Sequence, residues 1–213
     1  MMPAPISSPQ FRRERQRAAF REDVLAEARA ILAEEGLDGL SMRKLAHRMG
    51  CAPMSLYAYF RDKHDLLTAL AHRGFGILAE RLAAEPAEEP LAALRAVFLT
   101  YARLGLERPD DYRVLFMTPE VQPVREFEGP EEIARESPAF AIGLDRAQAC
   151  VTAEMLEGDA HAITTLLWTA VHGAVAAVLT FPAFPFGDRD AYVARVVDWT
   201  IDGLRAARVA PLA

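Results

Sequence analysis

Lysine is nearly missing from this chain, occurring only at Lys44 and Lys63. Cysteine is as scarce. Cys51 and Cys150 show no paired spacing, which excludes a disulfide framework and reads as two reduced thiols in a cytoplasmic protein. No P-loop, GxGxxG or GxSxG pattern occurs, so the common nucleotide-binding and hydrolase motifs are excluded. His161 and His172 stand eleven apart, about three helical turns, too far to chelate one metal. Neither a metal, a cofactor nor an enzymatic activity is therefore expected. No segment sustains strand alternation. No basic leader with an apolar core opens the chain, and residues 1–10, MMPAPISSPQ, read as a disordered tail.

What is present is a large apolar fraction, 52%, enough for a sizeable core. The net charge of −6 argues against nucleic acid only when averaged. Residues 1–70 hold 11 Lys+Arg against 9 Asp+Glu, a balance of +2; the remainder holds 13 against 21, a balance of −8. The basic residues gather at Arg12, Arg13, Arg15 and Arg17, and again at Arg43, Lys44 and Arg48. A basic end on an acidic body suits a duplex-facing head.

Residues 41–65, SMRKLAHRMGCAPMSLYAYFRDKHD, carry the most information. Ser41 suits an N-cap, and Met42, Leu45, Ala46 and Met49 form one apolar face at helical spacing. Gly50 suits a left-handed turn, and Pro53 the first position of a new helix. Leu56 and Phe60 are expected to pack inward, leaving Met54, Ser55, Ala58 and Tyr59 outward. Asp62 suits the cap of a third helix, with Asp65 as a short-armed capping box. The pattern predicts a helix-turn-helix, which sets one helix into the major groove. Arginine matches guanine's paired acceptors, whereas serine, lysine and tyrosine suit phosphates.

These residues, RKLAHRMG, then LYAYF, then RDKHDLL, resemble the N-terminal DNA-binding domain of TetR-type transcriptional regulators over about residues 15–70. The resemblance implies that Arg43 meets the bases from the first helix of the motif, and Lys44 beside it is a further DNA-binding candidate. It places Pro53, Met54 and Ser55 at the start of the recognition helix, and Ser41, Tyr57, Tyr59 and Lys63 against phosphates. Pro53 and Met54 depart from the polar residues common there; apolar contact with thymine methyls is the physical substitute.

Helical periodicity continues through the rest. Helices are expected at about 12–35, 62–84, 88–107, 110–117, 138–157, 160–181 and 189–208, with residues 118–137 a Pro/Gly-rich acidic loop. Together with the two short helices of the motif this gives an all-α protein of about nine helices. A three-helix domain over residues 11–65 precedes a ligand-binding and dimerisation domain over 66–213. Residues 162–184 are uncharged and about long enough to span a bilayer, but His172, four threonines, Pro182 and Pro185 favour a buried helix, and no membrane partner is expected.

WTAVHG at 168–173 resembles the Trp-x-x-x-His-Gly signature of one TetR effector-domain subgroup, with DYRVLFM at 111–117 beside it. The resemblance implies a small-molecule cavity, for which Phe98, Tyr101, Tyr112, Phe116, Met155, Trp168 and His172 are the lining candidates. The last two helices suit a homodimer, through the stripe Val193, Val196, Val197, Thr200, Ile201 and Leu204 paired with the Ala/Gly-rich helix before it. The expected function is a repressor on a palindromic operator in double-stranded DNA, released by a small apolar or aromatic effector. A ligand-independent regulator, or a small-molecule-binding helical protein with no DNA role, are the alternatives.

Overall fold

The computed structural model describes residues 9–86, 88–121 and 129–212. The first eight residues of the expected tail lie outside them, whereas Pro9 and Gln10 already belong to a helix. Ten α-helices run in chain order among the described residues: α1 Pro9–Gly39, α2 Met42–Arg48, α3 Pro53–Tyr57, α4 Lys63–Ala83, α5 Pro90–Glu107, α6 Pro109–Phe116, α7 Pro130–Glu136, α8 Pro138–Thr152, α9 Ala160–Thr180 and α10 Arg189–Arg205. A short 3-10 turn, Pro119–Val121, follows α6.

Local chemistry sets these boundaries. Proline opens α3, α5, α6, α7 and α8, where its missing N–H costs nothing. Ser41, Asp62, Asp159 and Asp188 each accept a hydrogen bond from the backbone N–H three residues on, capping α2, α4, α9 and α10. Asp65 in turn accepts from the Arg61 N–H at 3.0 Å, so the expected capping box forms one residue further back. Gly36 breaks α1 at φ 71°, where the helix was expected to stop, and one more turn follows it.

Helix α7 corrects the expectation of a loop over 118–137. Its acids Glu131 and Glu132 occupy the first turn, where they favour the helix dipole, and Pro130 pre-sets the entry. The count among the described residues is accordingly ten, close to the expected nine or so.

Two buried clusters organise the chain. The first joins Val24, Leu25 and Ile31 of α1 to Leu45, Leu56 and Phe60 of the motif, and to Leu66, Leu67, Leu70 and Ala71 of α4. The second runs from Leu78 and Leu82 of α4 through α5, α8, α9 and α10. Phe75 packs against both. Helix α4 thus serves two cores, and α6 is wedged beside it: Val114 belongs to the first cluster and Tyr112 to the second. Gly74 makes that wedge possible, since a Cβ there would lie 2.5 Å from Leu115 Cδ1.

Helix α9 is long and apolar enough to cross a membrane by length and composition, but Ile163, Leu167, Val171 and Val175 are sunk in the second cluster. The expected dimer stripe of α10 also needs correction. Val193, Val197, Ile201 and Leu204 face the chain's own core, between 0% and 7% exposed. The outward face instead presents Trp199, 69% exposed, with the Arg195 guanidinium 5.9 Å from its ring centre. Asp198 turns sideways onto α5, where Arg95 donates to it at 2.5 and 3.0 Å.

Candidate nucleic-acid interface and effector cavity

The motif folds around its two inward side chains. Leu56 and Phe60 are 0% and 1% exposed, each burial contributing about 1.5–3 kcal/mol. Between α2 and α3, Gly50 takes φ 64°, a conformation that a side chain resists. The Cys51 N–H donates to the Ala46 carbonyl at 3.0 Å, which closes the turn. The front of α3 is then bare: Pro53, Met54 and Ser55 are exposed, Met54 at 76%.

The cations of this region divide sharply. Lys44 pairs with Glu35, and Arg48 with Glu27 and Glu34. Arg61 pairs with Asp65, and Arg73 with Glu22. Lys63 donates to the Leu37 carbonyl at 2.8 Å, tying α4 to the end of α1 rather than pointing outward. Arg43 is exposed and has no ion-pair partner among the described residues. Ser41 is exposed beside it, although its hydroxyl oxygen already accepts from the Lys44 N–H. Tyr57 is 44% exposed; Tyr59 is half-buried, its ring 4.9 Å from Phe20 of α1.

The second site is a cavity of about 400 Å³ between α4, α5, α6, α7, α8 and α9. Of the expected lining, Phe98, Tyr101, Phe116 and Trp168 reach it. Tyr112 and His172 stand behind that wall as a polar cluster. The Tyr112 hydroxyl lies 2.6 Å from His172 Nδ1, and the Tyr101 hydroxyl lies 3.1 Å from both. Burial holds the His172 imidazole below its ordinary value, which favours the neutral ring. Burial likewise raises both tyrosines, which stay protonated donors. Met155 lies outside the cavity, 39% exposed past the end of α8, because α8 stops at Thr152 and the chain turns away.

Sequence reasoning missed much of the wall. Phe75, Leu78 and Leu82 share one face of α4, and their spacing of three and seven was the available signal. Ile133 was hidden by reading its segment as a loop. His161, weighed only as a metal ligand, lines the cavity with its ring 5.7 Å from Phe140. No Asp, Glu, Lys or Arg is in the wall among the described residues. No cluster suited to a metal ion occurs among the described residues.

A bare, glycine-turned two-helix head, joined through a shared helix to an all-helical body with a neutral cavity, defines a helix-turn-helix regulator. Residues 24–70 match the family of bacterial regulatory proteins described as the tetR family, and residues 94–203 match the tetracyclin repressor-like C-terminal domain. The chain belongs to the tetR family of transcriptional regulators. Among curated relatives, the class A tetracycline repressor from transposon 1721 of Escherichia coli is 50% identical over 48 residues, 22% of each chain. An HTH-type transcriptional regulator of Haemophilus influenzae is 38% identical over 61 residues, 29% of this chain and 33% of that one. The matches thus span about a third or less of these relatives. The fold extends the likeness. A TetR variant from Acinetobacter baumannii AYE in complex with minocycline superimposes with TM-score 0.63 and 26% identity, covering 87% of this chain and 96% of the other. A tetR-family regulatory protein from Rhodococcus RHA1 gives TM-score 0.65 at 18% identity, over 86% and 96%.

Proposed function

We propose that the protein is a homodimeric repressor that grips a palindromic operator and leaves it when a neutral, largely apolar small molecule fills the C-terminal cavity. The single observation that carries the DNA half is Arg43: an exposed guanidinium with no acid beside it, next to the bare front of α3, where neighbouring cations are neutralised. A bidentate contact from such a group to guanine discriminates against a wrong base by about 1–3 kcal/mol. Met54 offers apolar contact to a thymine methyl, and Ser41, Tyr57 and Tyr59 fix register on phosphates. In this reading the molecule works in the cytoplasm, beside the DNA.

The uncharged wall supports a ligand without net charge, since a buried ion would lack a partner there. The minocycline complex of the Acinetobacter protein supports a small molecule as effector for this fold. The second copy is proposed to dock on the outward faces of α9 and α10, where Leu166, Gly173, Trp199 and Gly203 are exposed at helical spacing. Bare glycines allow close helix approach, and a four-helix interface closes a twofold pair.

Release follows from α4. The two recognition helices of a dimer must sit about one DNA turn apart, ~34–36 Å. A ligand pressing on Phe75, Leu78 and Leu82 acts on the helix that also carries Leu66 and Leu70 of the reading head. It shifts the balance only by binding the mis-spaced state more tightly. Tenfold weaker operator binding needs about 1.4 kcal/mol of such coupling.

The test selects operators from random DNA with the full chain, then compares wild type and Arg43→Ala by fluorescence anisotropy. Arg43→Ala is expected to weaken operator binding about 5- to 150-fold while barely touching mixed-sequence DNA. Equal losses on both would reduce Arg43 to a phosphate contact. Compounds that raise Tm without releasing DNA would favour a ligand-independent regulator.

A further inference from the structure

The arginine tract of α1 is not absorbed by the helix-turn-helix. Residues 11–21 hold five arginines and one acid, Glu14. Arg17 and Arg21 anchor this half of α1 to the end of the recognition segment. Arg17 Nη2 donates to the Ala58 carbonyl at 3.1 Å, its guanidinium lies 5.4 Å from the Tyr59 ring centre, and that of Arg21 lies 5.0 Å from Phe60. Toward the amino end the helix continues beyond this anchor. At about 1.5 Å per residue, Arg12 stands roughly 7 Å further along the axis than Arg17. Arg12, Arg13 and Arg15 are exposed, and none has an ion-pair or hydrogen-bond partner among the described residues. Beyond Arg43, they are the cations among the described residues up to position 73 left without a described acid, carbonyl or aromatic face.

We infer that the projecting end of α1 is a second DNA contact, in which Arg12, Arg13 and Arg15 hold duplex phosphates flanking the bases read by α2 and α3. The inference rests on the DNA-binding reading above. Three uncompensated positive charges on one short rigid rod repel each other in the free protein, and a polyanion relieves that repulsion. The anchor at Ala58, Tyr59 and Phe60 holds the rod beside the groove-facing helix, so it meets the same duplex rather than another molecule. An anionic bilayer is the poorer fit, because Phe11 is the tract's one large exposed apolar side chain among the described residues. Phosphate contacts made this way carry no sequence information and add to the salt dependence of binding, about 0.9 in the logarithmic slope for each. The HTH lysines, spent on Glu35 and Leu37, add little of that term.

The experiment is a salt series of anisotropy titrations on a mixed-sequence duplex and on a selected operator. It compares the full-length wild type, Arg12→Gln/Arg13→Gln/Arg15→Gln, and the same three positions changed to lysine. The glutamine variant is expected to lose about 2–3 units of slope per protomer, with affinity falling on the order of tenfold or more on both duplexes. Its preference for the operator should stay unchanged, and hydroxyl-radical footprints should shrink at their outer edges. The lysine variant should keep the slope. Wild-type slope and footprint in the glutamine variant would overturn the inference while leaving the DNA reading intact. Loss confined to anionic vesicles, with DNA binding unaltered, would also overturn it. A wild type that binds neither duplex at any salt would overturn both readings.

Discussion

Arg29 of α1 and Asp111 of α6 meet across 82 residues of chain through two parallel hydrogen bonds, Nε to Oδ1 at 2.9 Å and Nη2 to Oδ2 at 2.5 Å. This pair ties the reading head to the helix that supplies Tyr112 and Phe116 to the cavity region. Arg108 approaches the same carboxylate at 3.6 Å. Both partners of the main pair keep about a third of their side-chain surface in water, so solvent screening leaves it worth about 0.5–1 kcal/mol. Asp111→Asn is expected to lower Tm by about 1–3 °C and to change effector-driven release more than operator affinity itself. A double-mutant cycle with Arg29→Gln measures the coupling; strictly additive effects would show the two groups to be independent.

Trp199 supplies a clean probe of assembly. At 69% exposure it contributes little to the single chain's core, so Trp199→Glu should leave the helical content and first unfolding transition nearly unchanged. Sedimentation equilibrium is expected to turn from dimer to monomer, because a carboxylate buried at a twofold axis meets its own copy. An unaltered dimer would remove the outward faces of α9 and α10 from the interface.

Stability should depend on pH through His172. Burial depresses its folded-state value, whereas unfolding restores it to about 6.5. As pH falls, the unfolded chain takes up the proton first. The stabilisation is therefore fully present above about pH 6.5 and is lost as pH drops toward the folded-state value. Thermal melts of wild type and His172→Gln between about pH 7.5 and 5 should differ in slope, with the variant flatter. Parallel curves would assign the acid sensitivity to other groups.

Filling the cavity separates ligand uptake from DNA binding. Thr165 lines it from α9 and is half-buried, with room in front of the side chain. Thr165→Phe is expected to abolish the thermal shift given by any effector while operator affinity stays within about twofold. Persisting release by the same compound would place the effector elsewhere.

The head was readable because its signals are local. Ser41, Gly50, Pro53 and Asp62 each act on their own backbone within a few residues, and Leu56 and Phe60 follow one helical face. The body was readable as helices but not as contacts. Val193, Val197 and Ile201 form an apolar stripe whether they face their own core or a second copy; the sequence pattern is identical in both cases. Helix α7 was obscured because Pro130 and its acids serve a helix start as well as a loop. The Tyr101–Tyr112–His172 cluster brings together side chains 11, 60 and 71 residues apart, and its members were named without the hydrogen bonds that join them. At Lys44 and Lys63 the cation's charge is visible in sequence, whereas the acid or carbonyl it meets is set by the fold.

At Gly74 the backbone of α4 and the Leu115 side chain of α6 leave room for a hydrogen atom but not for a methyl group. A single added carbon there would work as a shim driven between α4 and Leu115, and either that side chain or the seat of α6 on α4 must give way. Where the seat yields, alanine at this position should produce a chain that behaves as though permanently induced.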